Sequence, residues 1–397
     1  MEQKNIFSKF SGKSVFKNKD VLSINFIPNK IIHRDEQITG LTAALSPALK
    51  GYQPSNIFVY GKTGTGKSMS IRFVLDQLVQ AASGKVSIKS IYVNCKMKCV
   101  ADTEYRLFAQ LLKELGVHVP DTGLPTDVLY RQFFEKIDEK KQIIILALDE
   151  IDTLVKKMGD EFLYNLTRAG SELKNAGISL VGITNDLSFS DLLDARVKSS
   201  LGEEEILFKP YNAIQLKDIL NERVKAAFND HTAPDIVISK CAALAAQEHG
   251  DARRALNLLR VAGEIAERNG SDTIMEEHVD NAEGKIDSDR IIESVRALPR
   301  QSQLVLMSVI KLCKENTRKE ITTGDVFDKY RKICAEVGYK ELTQRRVSDL
   351  VGELDMLGII TAVVVSTGRY GRSRKISLAI SGGILENVES VLKHQFN

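Results

Sequence analysis

The sequence predicts an α/β nucleotide-binding domain, then an all-helical module, then a small domain of helices closed by a β-hairpin. Three observations carry that prediction. From about residue 30 to 205, short β-rich runs alternate with longer helical patterns. From Asn212 to about Lys285 the pattern is helical throughout. The remainder reads as helices followed by two short strands around a basic, glycine-containing turn. A chain of 397 residues holds two or three domains at about 150 residues each.

Within the α/β region the strands are placed at Ile57–Tyr60, Ser90–Asn94, Gln142–Leu148 and Ile178–Ile183, with a fifth near Glu205–Phe208. Their connections are long enough to hold helices, so the sheet is mostly parallel with helices on both faces. In the second module Ile214–Ala227, Asp235–Glu248, Ala252–Ala266 and Met275–Ala282 read as helices, and Ile286–Pro299 as a link. The expected boundaries are 1–19 for a basic N-terminal tail, 20–210 for the α/β core, 211–285 for the helical module and 286–397 for the C-terminal domain.

Composition excludes several classes. Apolar residues make up 43% and charged residues 27%, the balance of an ordinary globular chain. Every apolar run is broken by charge well short of a membrane span, and the first residues lack the apolar core of a secretory signal. Five cysteines do not make a disulfide framework, which points to the cytoplasm, and Cys95 with Cys99 lacks the partner pair of a zinc site. Charge is uneven. The first 19 residues carry five lysines against one glutamate, residues 286–397 carry 18 basic against 14 acidic, and the body between is net acidic. Basic regions flanking an acidic body suit a polyanion such as DNA, although a short lysine tail also serves plain solubility.

Gly61-Lys62-Thr63-Gly64-Thr65-Gly66-Lys67-Ser68 fits the phosphate-loop pattern G-x-x-x-x-G-K-[ST] in full, with a strand before it and a helix starting near Met69. The free N–H groups of such a loop and of the helix N-terminus cradle phosphates. Lys62 to Met69 are therefore the expected contacts of ATP or ADP, Lys67 reaching the β/γ-phosphates and Ser68 ligating Mg²⁺. Ile143–Leu148 runs directly into Asp149-Glu150. Carboxylates at the C-terminal end of a doubly buried strand stand where α/β sheets bind ligands. Asp149 is expected to hold magnesium through water, and Glu150 to orient and deprotonate the water that attacks the γ-phosphate.

In the C-terminal domain, Gln301–Lys314 and Thr323–Val337 are helices, and Thr343 caps a third whose Val347, Leu350, Leu354 and Leu357 form a buried stripe. Thr343, Gln344, Arg345, Arg346 and Ser348 crowd its first turns, where a recognition helix meets bases and phosphates. Ile359–Val365 leads to a tip carrying Arg369, Tyr370, Arg372, Arg374 and Lys375, and Ile376–Leu378 returns. That is the outline of a winged helix. Arg369 and Arg372 are the expected minor-groove or phosphate contacts. Winged helices also bind proteins, so that alternative stays open.

The phosphate loop, Asp149-Glu150 and the polar Asn185 after Ile178–Thr184 together resemble an ATPase of the AAA+ class. The segment Asp191–Leu201, with Arg196, resembles the arginine-finger segment of the archaeal replication initiators related to the eukaryotic origin recognition and helicase-loading ATPases. Gly250–Arg260 resembles that family's second sensor helix, and Pro28–Gln37 its adenine-side entry motif. The resemblance implies that Asn185 positions the attacking water, that Arg253 stabilises phosphate charge in cis, and that Arg196 completes a neighbouring subunit's site. Ala195 stands where the family usually has proline. Ile31 and Ile32 are implied near adenine, His33 and Arg34 beside base and ribose, and Tyr211 joins the nucleotide contacts. A purely structural His33 is the competing reading.

The function implied is an ATP-dependent initiator that binds duplex origin DNA through the winged helix and an insertion in the 96–125 segment. There Lys96, Lys98 and Arg106 are the basic candidates. Its implied partners are paralogous initiator subunits and the replicative helicase, with no membrane, at a cytoplasmic, nucleoid-associated location. Hydrolysis would act as a slow switch. The alternatives are a clamp-loader-like or remodelling motor, and a signalling ATPase whose winged helix binds protein.

Overall fold

Gln142–Asp149, an uninterrupted buried run, is the spine of the α/β domain. The computed structural model describes residues 14–23, 26–28, 30–82, 86–96, 103–120, 123–201, 204–315, 320–366, 372–380 and 382–396. The spine is the third of five parallel strands: β1 (Ile57–Tyr60), β2 (Ile88–Asn94), β3 (Gln142–Asp149), β4 (Ala176–Thr184) and β5 (Glu204–Leu207). Their spatial order is β2-β3-β4-β1-β5. Alternation along β3 divides its side chains between two cores, as a strand buried on both faces requires. Ile144, Leu146 and Leu148 pack with Phe108, Phe133 and Phe162, whereas Ile143, Ile145 and Ala147 pack with Leu41, Ile71 and Val74.

Helices α1 (Asp35–Leu45) and α2 (Lys67–Ala82) cover the second of those faces. Helices α3 (Glu104–Glu114), α4 (Thr126–Asp138), α5 (Ile151–Met158), α6 (Glu161–Ser171) and α7 (Ala195–Leu201) cover the first. Strand register does the positioning: Asn94 pairs with Asp149, Asp149 with Ile183, and Tyr60 with Thr184. The phosphate loop after β1, the carboxylates after β3 and Asn185 after β4 therefore emerge along one edge, the ligand-binding edge of a parallel sheet.

The lid comprises α8 (Ala213–Ala227), α9 (Asp235–Gln247) and α10 (Ala252–Arg268). Asn212 and Gln215 close a capping box on α8, and Asp251 caps α10 by accepting from the Arg253 and Arg254 amides. The end of the lysine-rich N-terminal stretch is docked here. Phe16 stacks on Phe228 with ring centroids 4.8 Å apart, and Ser14 Oγ donates to Glu267 at 2.5 Å.

The segment expected as a link is helical: α11 runs Glu276–Ala297. Its apolar residues change side along the helix, Val279 and Ala282 lying on one face and Ile291, Ile292 and Val295 on another, so no single stripe runs its length. The chain divides into compact units at 1–279 and 280–397. In the second unit, α12 (Arg300–Glu315), α13 (Thr323–Val337) and α14 (Gln344–Met356) pack around Leu304, Val326, Tyr330, Val347 and Leu350. Strands β6 (Ile321–Thr322), β7 (Ile360–Ser366) and β8 (Arg372–Leu378) form an antiparallel sheet in the order β6-β8-β7. Two additions exceed the sequence reading. A two-residue strand is too short to show alternation, and α15 (Gly382–Phe396) begins at a Gly-Gly pair that reads as a turn. Among the described residues, no helix is long and apolar enough to cross a membrane.

Candidate functional site

The sheet edge and the lid enclose a cavity of about 580 Å³, large enough for a nucleotide. Its described wall includes Ile31, Ile32, Thr63 to Met69, Asp149, Glu150, Asn185, Tyr211 and Arg253. Lys67 opens α2 and is only 5% exposed. Its ammonium donates to Gly61 O at 2.5 Å, Lys62 O at 2.8 Å and Asn185 Oδ1 at 2.8 Å. Burial pushes the Lys67 pKa down to about 8; Asp149 opposes that shift and the nearby Arg253 cation adds to it.

Asp149 is equally constrained. Its Oδ2 accepts from Ser68 Oγ at 2.7 Å and from the Tyr92 hydroxyl, while Oδ1 accepts the Glu150 amide at 2.9 Å. Burial and the Asp149 charge raise the Tyr92 pKa, so the phenol is a standing donor. Glu150 takes a left-handed backbone conformation, φ 56°, unusual outside glycine. Its carboxylate lies 3.4 Å from Lys96 Nζ. Asp152 accepts from Thr184 Oγ1 at 3.0 Å, which ties α5 to β4.

Two loop glycines are demanded by the lid. At Gly64, φ 74°, a Cβ would lie 1.7 Å from Asp251 Oδ1, and at Gly66, φ 88°, it would lie 2.8 Å from the Tyr211 hydroxyl. The Ala252 amide donates to Gly64 O at 3.2 Å, so the N-terminus of α10, with Arg253, rests on the phosphate loop.

Arg34 and His33 are among the described residues and neither belongs to the cavity wall. Arg34 is 3% exposed, stacks on Tyr211 at 3.7 Å, and donates to Thr65 O at 2.9 Å and Lys209 O at 2.7 Å. It braces the phosphate loop against the strand-to-lid connection. His33 pairs with Asp218 of α8 at 2.8 Å. Arg254 pairs with Glu248 at 2.8 Å. The Arg196 side chain is 83% exposed and bonded to its neighbour Asp194 at 3.1 Å. Sequence reasoning missed Tyr92, Arg72 and Asp251. Tyr92 had one signal, a polar tip two residues before the end of the strand beside Asp149.

In the second unit, Thr343 caps α14 by accepting from the Arg346 amide, while Val347, Leu350, Val351 and Leu354 are buried. Gln344, Arg345 and Arg346 are exposed and Ser348 is half-buried. Arg346 lies 3.5 Å from Glu353 and 4.0 Å from Asp349. Arg374 donates to Ser348 O at 2.9 Å and packs over Gly352, fastening the wing to α14. Lys375 pairs with Glu320. Arg372 opens β8, whereas Arg369, Tyr370 and Lys98 lie outside the described residues. Val363, Val364 and Val365 of β7 are exposed.

A strand order of β2-β3-β4-β1-β5 with the phosphate loop after β1, between β4 and β5, roofed by a helical lid, is the build of a AAA+ ATPase. Family comparison agrees. An AAA domain matches residues 50–188, a Cdc6 AAA+ ATPase-type lid domain 217–284, and a CDC6 C-terminal winged helix domain 293–388. The chain belongs to the archaeal ORC1/Cdc6 family of DNA replication initiators. It is 50% identical to ORC1-type DNA replication protein 1 of Methanosarcina mazei over 394 residues, covering 98% of this chain and 94% of that one. Against the same-named protein of Archaeoglobus fulgidus it is 50% identical over 383 residues, covering 96% and 92%. Among solved structures, the Aeropyrum pernix ORC1 protein in complex with DNA superposes with a TM-score of 0.84 at 43% identity, covering 97% of this chain and 98% of that chain.

Proposed function

We propose that this initiator binds duplex origin DNA through α14 and the wing, helps recruit or load the replicative helicase, and uses ATP hydrolysis as a slow switch. The observation that carries the ATP half is the pair of bonds from Lys67 to Asn185 and from Ser68 to Asp149 at the head of the cavity. The DNA half draws on the exposed basic first turn of α14 and on the DNA-bound state of the Aeropyrum pernix relative. Paralogous initiator subunits on the same origin, and Arg196 completing a neighbour's site, belong to the same reading.

Magnesium fits the residues present. Ser68 and Asp149 offer only hard oxygen ligands, and the Ser68 hydroxyl donates its hydrogen bond to Asp149, which leaves the serine oxygen's lone pairs for a cation. Bound there, the ion would neutralise charge on the β- and γ-phosphates. The protein supplies the rest. Lys67 and the loop amides hold the phosphates, Asn185 orients the attacking water, and a Glu150 carboxylate oxygen accepts its proton. Arg253 meets the charge that develops on the γ-phosphate as the bond to the β-phosphate oxygen breaks, giving ADP and phosphate.

Fluorescence anisotropy of a labelled origin duplex against a scrambled one, at about 0.15 M salt because phosphate contacts are salt-dependent, tests the DNA half with ATP, ADP and no nucleotide. Origin binding at least about tenfold tighter than scrambled, a threshold set below the roughly 10³–10⁷ of typical specific sites, is expected, and an Arg369→Ala/Arg372→Ala double variant weakens it. Equal, feeble binding in every nucleotide state overturns the reading for this chain acting alone.

A further inference from the structure

Asp149 Oδ2 accepts from Ser68 and from a second donor, a residue that the phosphate motif does not contain. Tyr92 sits on β2, beside β3 and two residues before Asn94. Ile91 and Val93 point into the core with Phe108, whereas Tyr92 points to the opposite face, packs with the core that contains Val74, and sends its hydroxyl to Asp149 Oδ2. Arg72, on the helix that follows the phosphate loop, lays its guanidinium over the Tyr92 ring at 4.1 Å. The ring is therefore held on its face, with its hydroxyl against Asp149 and Ser68.

We propose that Tyr92 is a positioning residue for magnesium, fixing the plane of the Asp149 carboxylate. The proposal rests on the ATPase reading above. An aspartate has one soft torsion between its carboxyl plane and Cβ. Ser68 at 2.7 Å on Oδ2 and the Glu150 amide at 2.9 Å on Oδ1 hold it from the loop side and from its own backbone. Tyr92 holds Oδ2 from the neighbouring strand, so the carboxylate is gripped from three elements. A phenylalanine would fill the same apolar space without the cost of sinking a hydroxyl, so the oxygen is accounted for by its bond to Asp149. Donors that fix a metal-binding group govern its affinity for the ion although they never touch it.

The test is Tyr92→Phe in the full chain, which deletes one hydroxyl and keeps the ring under Arg72. Binding of a fluorescent ATP analogue is titrated in EDTA and against rising Mg²⁺, and Mn²⁺ binding is followed by electron paramagnetic resonance. The expected result is an unchanged affinity in EDTA, with about a tenfold rise in the Mg²⁺ and Mn²⁺ concentrations for half-saturation, the lower end for such supporting groups. A general structural defect would instead weaken binding equally in both conditions, and that outcome, or an unchanged metal response, overturns the role of Tyr92. Failure of the unsubstituted chain to bind nucleotide with Mg²⁺ overturns the ATPase reading and this inference with it.

Discussion

Lys67 and Arg345 are both cations that the sequence assigns to phosphate, and the protein treats them in opposite ways. Lys67 is buried and bonded to three oxygens of its own chain, while Arg345 stands exposed in the first turn of a helix. Its neighbour Arg346 is met by Asp349 and Glu353 on the same helix. The difference suits the two tasks proposed for them. Phosphoryl transfer needs groups fixed to fractions of an ångström, so they are locked into a network in advance. Holding a duplex needs charge that can settle against a long, hydrated polyanion, so exposed and weakly paired cations suffice.

The sharpest break in that comparison is Glu150→Gln. Removing the base while keeping the shape is expected to slow ATP hydrolysis by about 10²–10⁴-fold, measured by phosphate release, with nucleotide and origin binding retained. A joint loss of hydrolysis and DNA binding would mean that the two regions are not separable. A smaller effect distinguishes two arginines of the winged helix. Arg345→Ala is expected to lower the slope of log affinity for DNA against log salt by about one with Tm unchanged. Arg374→Ala, which loses its bond to Ser348 O, is expected to cost about 1 kcal/mol of stability, measured by denaturant unfolding.

The smallest effect is the pH dependence of nucleotide binding. Lys67 titrates at about 8 in the free protein, and bound phosphate anions favour its charged form. Affinity is then flat below pH 7 and falls above 8, by at most about tenfold per pH unit for one proton. Stability of the unliganded chain moves the other way. An unfolded lysine keeps its proton up to its ordinary 10.5, so this group makes the fold more stable as pH rises from 8 towards 10.5. Calorimetry in buffers of different ionisation enthalpy reads the proton uptake directly.

What could be read in advance follows the same division. Lys67, Ser68 and Asp149 were legible because spacing and strand pattern are local properties. Arg34 was read, with His33, as lying beside base and ribose, and its guanidinium bonds the carbonyls of Thr65 and Lys209, far along the chain. A buried arginine that braces two backbones looks no different in sequence from one that meets a ligand. Tyr92 gave less still, since its meaning depends on which oxygen lies across the strand. Of the long helix Glu276–Ala297 only the start was read, as Met275–Ala282, because its apolar residues change face beyond that point.

Gly64 has a consequence for how such chains diverge. It occupies a position that the phosphate motif leaves unspecified, and what forbids a side chain there, besides its backbone angle, is Asp251 of the lid. The two positions are remote in sequence and in contact in space, so neither is free to drift by itself. A side chain at Gly64 would meet both the left-handed backbone angle and the Asp251 cap, so part of any loss of nucleotide binding there would come from a lid that no longer seats.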